Sequence, residues 1–148
     1  MSGPAFPRGA TPVARLEDLS DLEAAAILML RICCDAAAGR PAPTRFRRGG
    51  PEAAAYEAVA ALVSAAVAGA RRPLARHAVE CACVGADESA LARMVASAAE
   101  GEREEAMLLA TLIARPEHGP EVARLAERAG LELRRLALRL RRGGETVH

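Results

Sequence analysis

The stretch RHAVECACVGAD, residues 76–87, lies in the middle of the chain and separates two regions whose sequence is typical of helices. It carries two of the four cysteines and one of the three histidines. Gly85 followed by Asp87 is a signal for one helix to stop and another to begin. Because helix-forming Ala, Leu, Arg and Glu dominate both sides, we take residues 76–87 as the joint around which the helices are arranged.

The length and composition predict one all-α domain. A chain of 148 residues with 51% hydrophobic and 2% aromatic residues must build its core from small aliphatic side chains. We expect a compact single-domain array of about five to seven short helices over residues 18–142. The segment 1–17, rich in Gly and Pro, is predicted to be a flexible N-terminal arm, and residues 143–148 a flexible tail.

The first helix has the clearest boundaries in the sequence. Ser20 followed by Glu23 forms a capping box, and the helix is predicted to continue to Ala38. On a helical wheel, Cys33 lies on the apolar face that points into the core, whereas Arg31 lies on the opposite, polar face. The wheel therefore predicts a buried thiol and a solvated guanidinium on the same helix.

Five further helices are predicted, over residues 51–70, 73–81, 88–99, 102–114 and 121–142. Asp87 is predicted to cap the helix over 88–99. The helix over 102–114 contains the most apolar run of the chain, so we expect it at the centre of the bundle. Gly130 marks a position where the last helix is open to a break.

The composition excludes several kinds of site. The chain contains arginine but no lysine, which rules out a Schiff-base lysine and a P-loop lysine. It contains no Asn or Gln to read adenine edges, and the net charge of +1 leaves room only for local basic surfaces. No nucleophile motif of the hydrolase type and no HExxH zinc motif is present. The sequence thus favours a non-enzymatic protein.

The lengths of the apolar runs bear on where the protein resides and on whether it spans a membrane. None approaches the about 20 residues that a membrane span needs, and the N-terminal residues show no apolar segment of a secretory signal. We therefore expect a cytoplasmic protein, in which four cysteines would be thiols or metal ligands rather than disulfides.

His77, Cys81 and Cys83 are the candidate metal ligands of the central stretch. On a helix, His77 and Cys81 are four residues apart and share one face, and Cys83 follows where that helix ends. With Cys33 as a fourth ligand they would form a Cys3His set suited to a structural zinc ion. The zinc cofactor is therefore predicted at His77, Cys81, Cys83 and Cys33.

Two other interpretations of the same thiols stay open. Free cysteines are commonly buried as small apolar side chains, which needs no ligand at all. Alternatively Cys81 or Cys83 is a reactive thiol, activated by Arg76 or His77, in a thiol-based redox sensor. The C-x-C spacing also permits a strained and therefore labile disulfide between Cys81 and Cys83.

Two arginine-rich segments form a candidate nucleic-acid interface. They contribute Arg45, Arg47, Arg48, Arg134, Arg135, Arg139, Arg141 and Arg142. Arginines on a loop and on an amphipathic helix suit phosphate backbones. The alternative is a solvated connector, and arginines that favour a helix C-terminus and cover apolar neighbours.

The function we expect first is that of a helical interaction or regulatory protein, with a protein partner or a second copy of itself. The leucines of the last helix form an apolar face on which a homo-oligomer could assemble. The nucleic-acid regulator and the redox sensor are the alternatives.

Overall fold

The computed structural model describes residues 7–145 and shows a mostly helical domain with a small two-stranded sheet. The helices are α1 (Asp21–Ala37), α2 (Ala53–Gly69), α3 (Ala86–Ala99), α4 (Arg103–Ile113) and α5 (Gly119–Glu145). Strands β1 (Pro12–Arg15) and β2 (Cys83–Gly85) pair in antiparallel fashion. The prediction of a compact all-α domain of about five to seven helices is confirmed.

The ends of α1 follow the local sequence signals. The Ser20 hydroxyl accepts a hydrogen bond from the Glu23 N–H at 3.2 Å and donates one to the Glu23 carboxylate at 2.9 Å. At the other end Gly39 has a φ of 97°, in the region that favours glycine. The predicted N-cap at Ser20 is confirmed, and the helix ends one residue before the predicted Ala38.

Helices α3 and α5 form the middle of the bundle, where they pack against each other and against α1 and α4, while α2 packs on α1 and α5. Gly130 lies at the crossing of α5 with α3. A Cβ atom there would be 2.6 Å from the Cβ of Ala99 and 2.8 Å from the carbonyl oxygen of Val95. The predicted break at Gly130 is wrong, because α5 runs through it and the glycine admits the neighbouring helix.

The central position predicted for residues 102–114 is also wrong. Leu108 and Leu112 of α4 are 68% and 65% exposed. One face of α4 packs on α3 and α5, and its buried residues are Ala106, Ala110 and Ile113. An apolar run therefore does not place a helix at the centre when small residues on one face allow a close approach.

The segment between α2 and α3 is irregular, and the helix predicted over residues 73–81 is wrong. Its last part forms β2, in which Cys83 lies opposite Arg15 and Gly85 opposite Pro12 of β1. The Leu16 N–H also donates to the carbonyl of Ala82 at 2.9 Å. The main-chain groups of this segment thus bond to distant residues instead of to a helix of their own.

Strand β1 belongs to the segment that the sequence assigned to a flexible arm, residues 1–17. Because β1 pairs with β2, residues 12–15 are part of the folded domain. Residues 1–6 of that arm lie outside the described residues. Helix α5 continues through the first three residues of the predicted tail to Glu145, and residues 146–148 lie outside the described range.

Within residues 7–145, no helix combines the length and the apolar character needed to cross a membrane.

Candidate functional site

A buried ion pair between Arg31 of α1 and Glu88 of α3 fixes the position of the central stretch. Arg31 is fully buried, and its Nε and Nη2 donate to the two Glu88 carboxylate oxygens at 2.6 and 3.0 Å. Its Nη1 and Nη2 also donate to the carbonyl oxygens of Cys81 and Cys83, both at 2.7 Å. One guanidinium therefore holds residues 81–83 against both helices.

The prediction that Arg31 lies on the solvated face of the first helix is wrong. The carboxylate of Glu88 and two carbonyl groups satisfy its donors, so the charge can be buried at the inner face of α1. Glu88 also accepts a hydrogen bond from the Gly85 N–H at 3.1 Å. Sequence reasoning missed this pair, for which the one signal was a charged residue inside the apolar run that precedes Cys33.

Asp87 anchors the beginning of the same segment. Its carboxylate, 4% exposed, accepts two hydrogen bonds from Arg72 at 2.8 and 3.0 Å and one from the Ala75 N–H at 2.8 Å. The predicted role of Asp87 as a helix cap is wrong, since α3 begins at Ala86 and Gly85 occupies the cap position. Residues 72–75 and 81–85 are therefore both fastened to the start of α3.

His77 and Cys81 contact each other between these two anchors. The Sγ atom of Cys81 lies 3.7 Å from Nδ1 of His77, within reach of a hydrogen bond to sulfur. The other ring nitrogen, Nε2, is 2.8 Å from the carbonyl oxygen of Ala10. Since a carbonyl only accepts, Nε2 carries the proton in this contact, and in the neutral ring Nδ1 is left to accept the thiol proton.

The structure does not gather the four predicted zinc ligands. Cys33 lies in the core between α1 and α2, where its Sγ is 3.9 Å from the carbonyl oxygen of Tyr56. Cys83 lies in β2 opposite Arg15. Across residues 7–145, no group of three or more His, Cys, Asp or Glu side chains is arranged to hold a metal ion. Of the predicted set, His77 and Cys81 are in contact, and zinc binding stays a prediction.

The four thiols are free and lie in different surroundings. Burial raises the pKa of the Cys33 thiol to about 12, and the neighbouring Cys34 adds to the shift. Burial also raises the pKa of Cys34, although the nearby positive charge of Arg76 opposes it. Cys33 and Cys34 are therefore held in the unreactive thiol form at neutral pH. Cys81 and Cys83 are half-buried in the segment that carries His77.

The loop arginines of the predicted nucleic-acid interface take part in the structure of their own loop. Arg45 forms a two-pronged ion pair with the buried carboxylate of Glu52, and its guanidinium lies 5.4 Å from the ring centre of Phe46. Arg47 donates from Nε to the carbonyl oxygen of Ala42 at 3.0 Å. Arg48 is exposed. These contacts favour the interpretation of this loop as a connector.

The arginines of α5 fall into two groups. Arg134 donates to the carbonyl oxygen of Ala99 at 2.8 Å, and Arg135 pairs with Glu132 at 2.8 Å. Beyond them Arg139, Arg141 and Arg142 are exposed. Nucleic-acid binding stays a prediction for this end of α5, and salt-sensitive retention on DNA or RNA would test it.

Comparison with known proteins gives no match to a family model, to a curated protein or to a solved structure.

Proposed function

We propose that the protein is a thiol-based sensor in which Cys81 is the reacting group and His77 takes its proton. The contact of 3.7 Å between Cys81 Sγ and His77 Nδ1, with Nε2 bound to the Ala10 carbonyl, carries the proposal. A nucleophile, a base and a third group that orients the base are the usual elements of an activated cysteine.

The chemistry we propose is reversible oxidation by a peroxide. The Cys81 thiolate attacks one peroxide oxygen, the O–O bond breaks, and the departing hydroxide takes a proton to become water, which leaves a sulfenic acid. The Cys83 thiol then attacks the Cys81 sulfur, and the sulfenic oxygen leaves as water while a disulfide forms. A disulfide over so short a spacing is strained and easily reduced, which suits a sensor.

The surroundings of Cys81 support this role. Arg31 holds the main chain on both sides of Ala82, and the Ala10 carbonyl holds the imidazole of His77, so both partners of the contact are anchored. Cys81 is half-buried, in contrast to the buried Cys33. Pre-organisation of this kind favours reaction at Cys81 over the two thiols of α1.

The rate of alkylation of each cysteine by iodoacetamide at neutral pH, followed by peptide mass spectrometry, tests the proposal. We expect Cys81 to react fastest. The His77→Ala substitution should slow the alkylation of Cys81 by about 100-fold or more, since general-base contributions begin at about that value. His118→Ala removes the other described histidine and should leave the rate unchanged. Equal rates at Cys81 in the protein, in His77→Ala and in a small peptide would refute the proposal.

A second candidate, self-association through helices α4 and α5, follows from the leucines that the fold leaves uncovered. Leu138 and Leu140 are 52% and 57% exposed, and residues 137–144 of α5 are all exposed. On α4, Leu108 is 68% exposed. Leu138 and Leu140 project to opposite sides of α5, so the contact we propose takes one of them, Leu138, together with Leu108 of α4.

Charge complementarity favours a second copy as the partner. The exposed end of α5 interleaves Leu138 and Leu140 with Arg139 and Arg141. The exposed carboxylate of Glu104 lies one turn before Leu108 on α4. The end of α5 in each copy can therefore pack on α4 of the other, as a two-fold symmetric pair requires.

Sedimentation equilibrium tests this second function. We expect a dimer for the unchanged protein and a monomer for Leu108→Glu and for Leu138→Glu. Each substitution would bury a charge in the contact between α4 of one copy and α5 of the other. Val67→Glu, at a 57% exposed residue of α2, is the matched control and should stay dimeric. A monomer at every concentration of the unchanged protein would exclude self-association.

A further inference from the structure

A pocket of about 320 Å³ lies between the N-terminal segment, the end of α2 and the end of α4. Its polar lining consists of three arginine residues, Arg8, Arg71 and Arg72. Its apolar lining consists of Leu74, Leu112 and Ile113. Three arginines from two separate parts of the chain thus converge on one concave surface.

The positive charge of this pocket exceeds the negative charge that the fold supplies. Arg72 is paired with Asp87, at 2.8 and 3.0 Å. Arg71 donates from Nε to a neutral group, the carbonyl oxygen of Ala114, at 3.3 Å. Among the ion pairs of the described residues, none joins Arg8 or Arg71 to a carboxylate. Two of the three positive charges are therefore left for a ligand.

The helix ends explain only part of this arrangement. Positive charge is favourable near the C-terminal ends of α2 and α4, which accounts for Arg71 and Arg72. Arg8 follows no helix and comes from a short turn before β1. Arg8 nevertheless lines the same pocket as Arg71 and Arg72, and a bound anion would offset the repulsion between these like charges.

We infer that this pocket binds a phosphate monoester with a small apolar substituent. The planar donor groups of arginine match the oxygens of a phosphate group in pairs. The side chains of Leu74, Leu112 and Ile113 form the wall against which the substituent packs, and Leu112, 65% exposed, gains most from being covered. The volume is near the lower end of the range for small-molecule pockets, about 300–1,000 Å³.

Isothermal titration calorimetry with phenyl phosphate at low ionic strength tests the inference. We expect binding by the unchanged protein, with inorganic phosphate weaker because it leaves the apolar wall exposed. Arg8→Ala and Arg71→Ala should each weaken the binding of phenyl phosphate by about 10-fold or more, the usual effect of losing a hydrogen bond to a charged group. Arg139→Ala removes the same charge from α5 outside the pocket and should bind as the unchanged protein does.

Several results would overturn the inference. These are no binding by the unchanged protein, equal losses in Arg139→Ala and Arg8→Ala, or inorganic phosphate binding as tightly as phenyl phosphate. If the protein cosediments with phosphatidic acid vesicles but does not bind phenyl phosphate, the ligand is a lipid headgroup and not a soluble phosphate monoester. Arg8 is exposed and lies outside the five α-helices, so Arg8→Ala keeps the test decisive if Arg71→Ala does not fold.

Discussion

The side chain of Arg31 joins α1 to α3 and to the segment that contains β2. Replacement by methionine keeps an apolar stem but leaves the buried carboxylate of Glu88 without its positive partner and removes one donor from each of two carbonyl groups. We expect Arg31→Met to lower the free energy of unfolding by about 3–5 kcal/mol, as when one partner of a buried ion pair is removed. Urea unfolding measures the difference.

Arg93→Met is the matched control for Arg31→Met. Arg93 pairs with Glu105 at 3.2 Å, but both side chains are largely in solvent. Exposed pairs contribute little, so its loss should cost less than about 1 kcal/mol. Similar destabilisation by both substitutions would show that the Arg31–Glu88 pair does not have the structural role assigned to it.

The Cys33 thiol should make stability fall at alkaline pH. Its ordinary pKa is 9.0, and burial raises the pKa in the folded protein to about 12. From pH 9 upward the unfolded chain releases this proton while the folded chain keeps it, so stability is complete below pH 9 and is lost toward pH 12. The loss approaches about 1.4 kcal/mol per pH unit.

Denaturant unfolding of the unchanged protein and of Cys33→Ala at pH 8 and pH 10 measures this effect. The substitution has its own cost, but that cost is the same at both values, so the readout is the difference in pH dependence. We expect the unchanged protein to lose about 1.4 kcal/mol more stability than the variant between the two pH values. Equal losses of stability in the two proteins would mean that Cys33 ionises as readily in the folded protein as in the unfolded chain.

Sequence patterns predicted the environment of Cys33 but not that of Arg31. Apolar spacing along α1 is a local property, and it correctly placed Cys33 in the core. The partner of Arg31 lies 57 residues away in sequence, and nothing within α1 identifies it. The contact of His77 with Cys81 was predicted from a four-residue helical spacing. In the structure the two residues are in contact although the segment that carries them is not helical.

Among the helices, those bounded by caps and glycines were predicted well and the segment between α2 and α3 was not. Ser20 and Gly39 act on their own helix, so a short window of sequence contains the information. The segment 73–81 contains helix-forming residues, but Pro73 opens it and its stabilising partners are Asp87, Arg31 and β1. Tertiary contacts override helix propensity in such a segment.

The crossing of α3 and α5 depends on Gly130. Alanine has the higher helix propensity by about 1 kcal/mol, yet its Cβ would lie 2.6 Å from the Cβ of Ala99. We expect Gly130→Ala to destabilise the protein by about 1–3 kcal/mol, because the two helices must move apart. Gly143→Ala, in the same helix with nothing within 4 Å of the added Cβ, should be neutral or stabilising. Thermal unfolding compares the two, and a gain of stability in Gly130→Ala would exclude the close crossing.

The molecule as a whole combines a helical core with a less regular segment, residues 71–85, that carries the proposed thiol site. The helices are stabilised by one shared apolar core. The segment is held by the Arg31 and Asp87 contacts and by pairing with β1 and its neighbours. A two-stranded sheet alone is only marginally stable, so this segment should open at lower free energy than the bundle.

Native-state hydrogen exchange with Leu16→Pro tests this division. Leu16 begins a short turn after an extended residue, so proline fits its main chain, but it removes the N–H that donates to Ala82. We expect faster exchange in residues 81–85 and unchanged protection in the middle of α5, because the core contacts of that helix are elsewhere. Leu16→Ala removes the same side-chain packing but keeps the N–H, and should leave most of the protection in place. Equal loss of protection across both regions would mean that the segment and the bundle unfold only together.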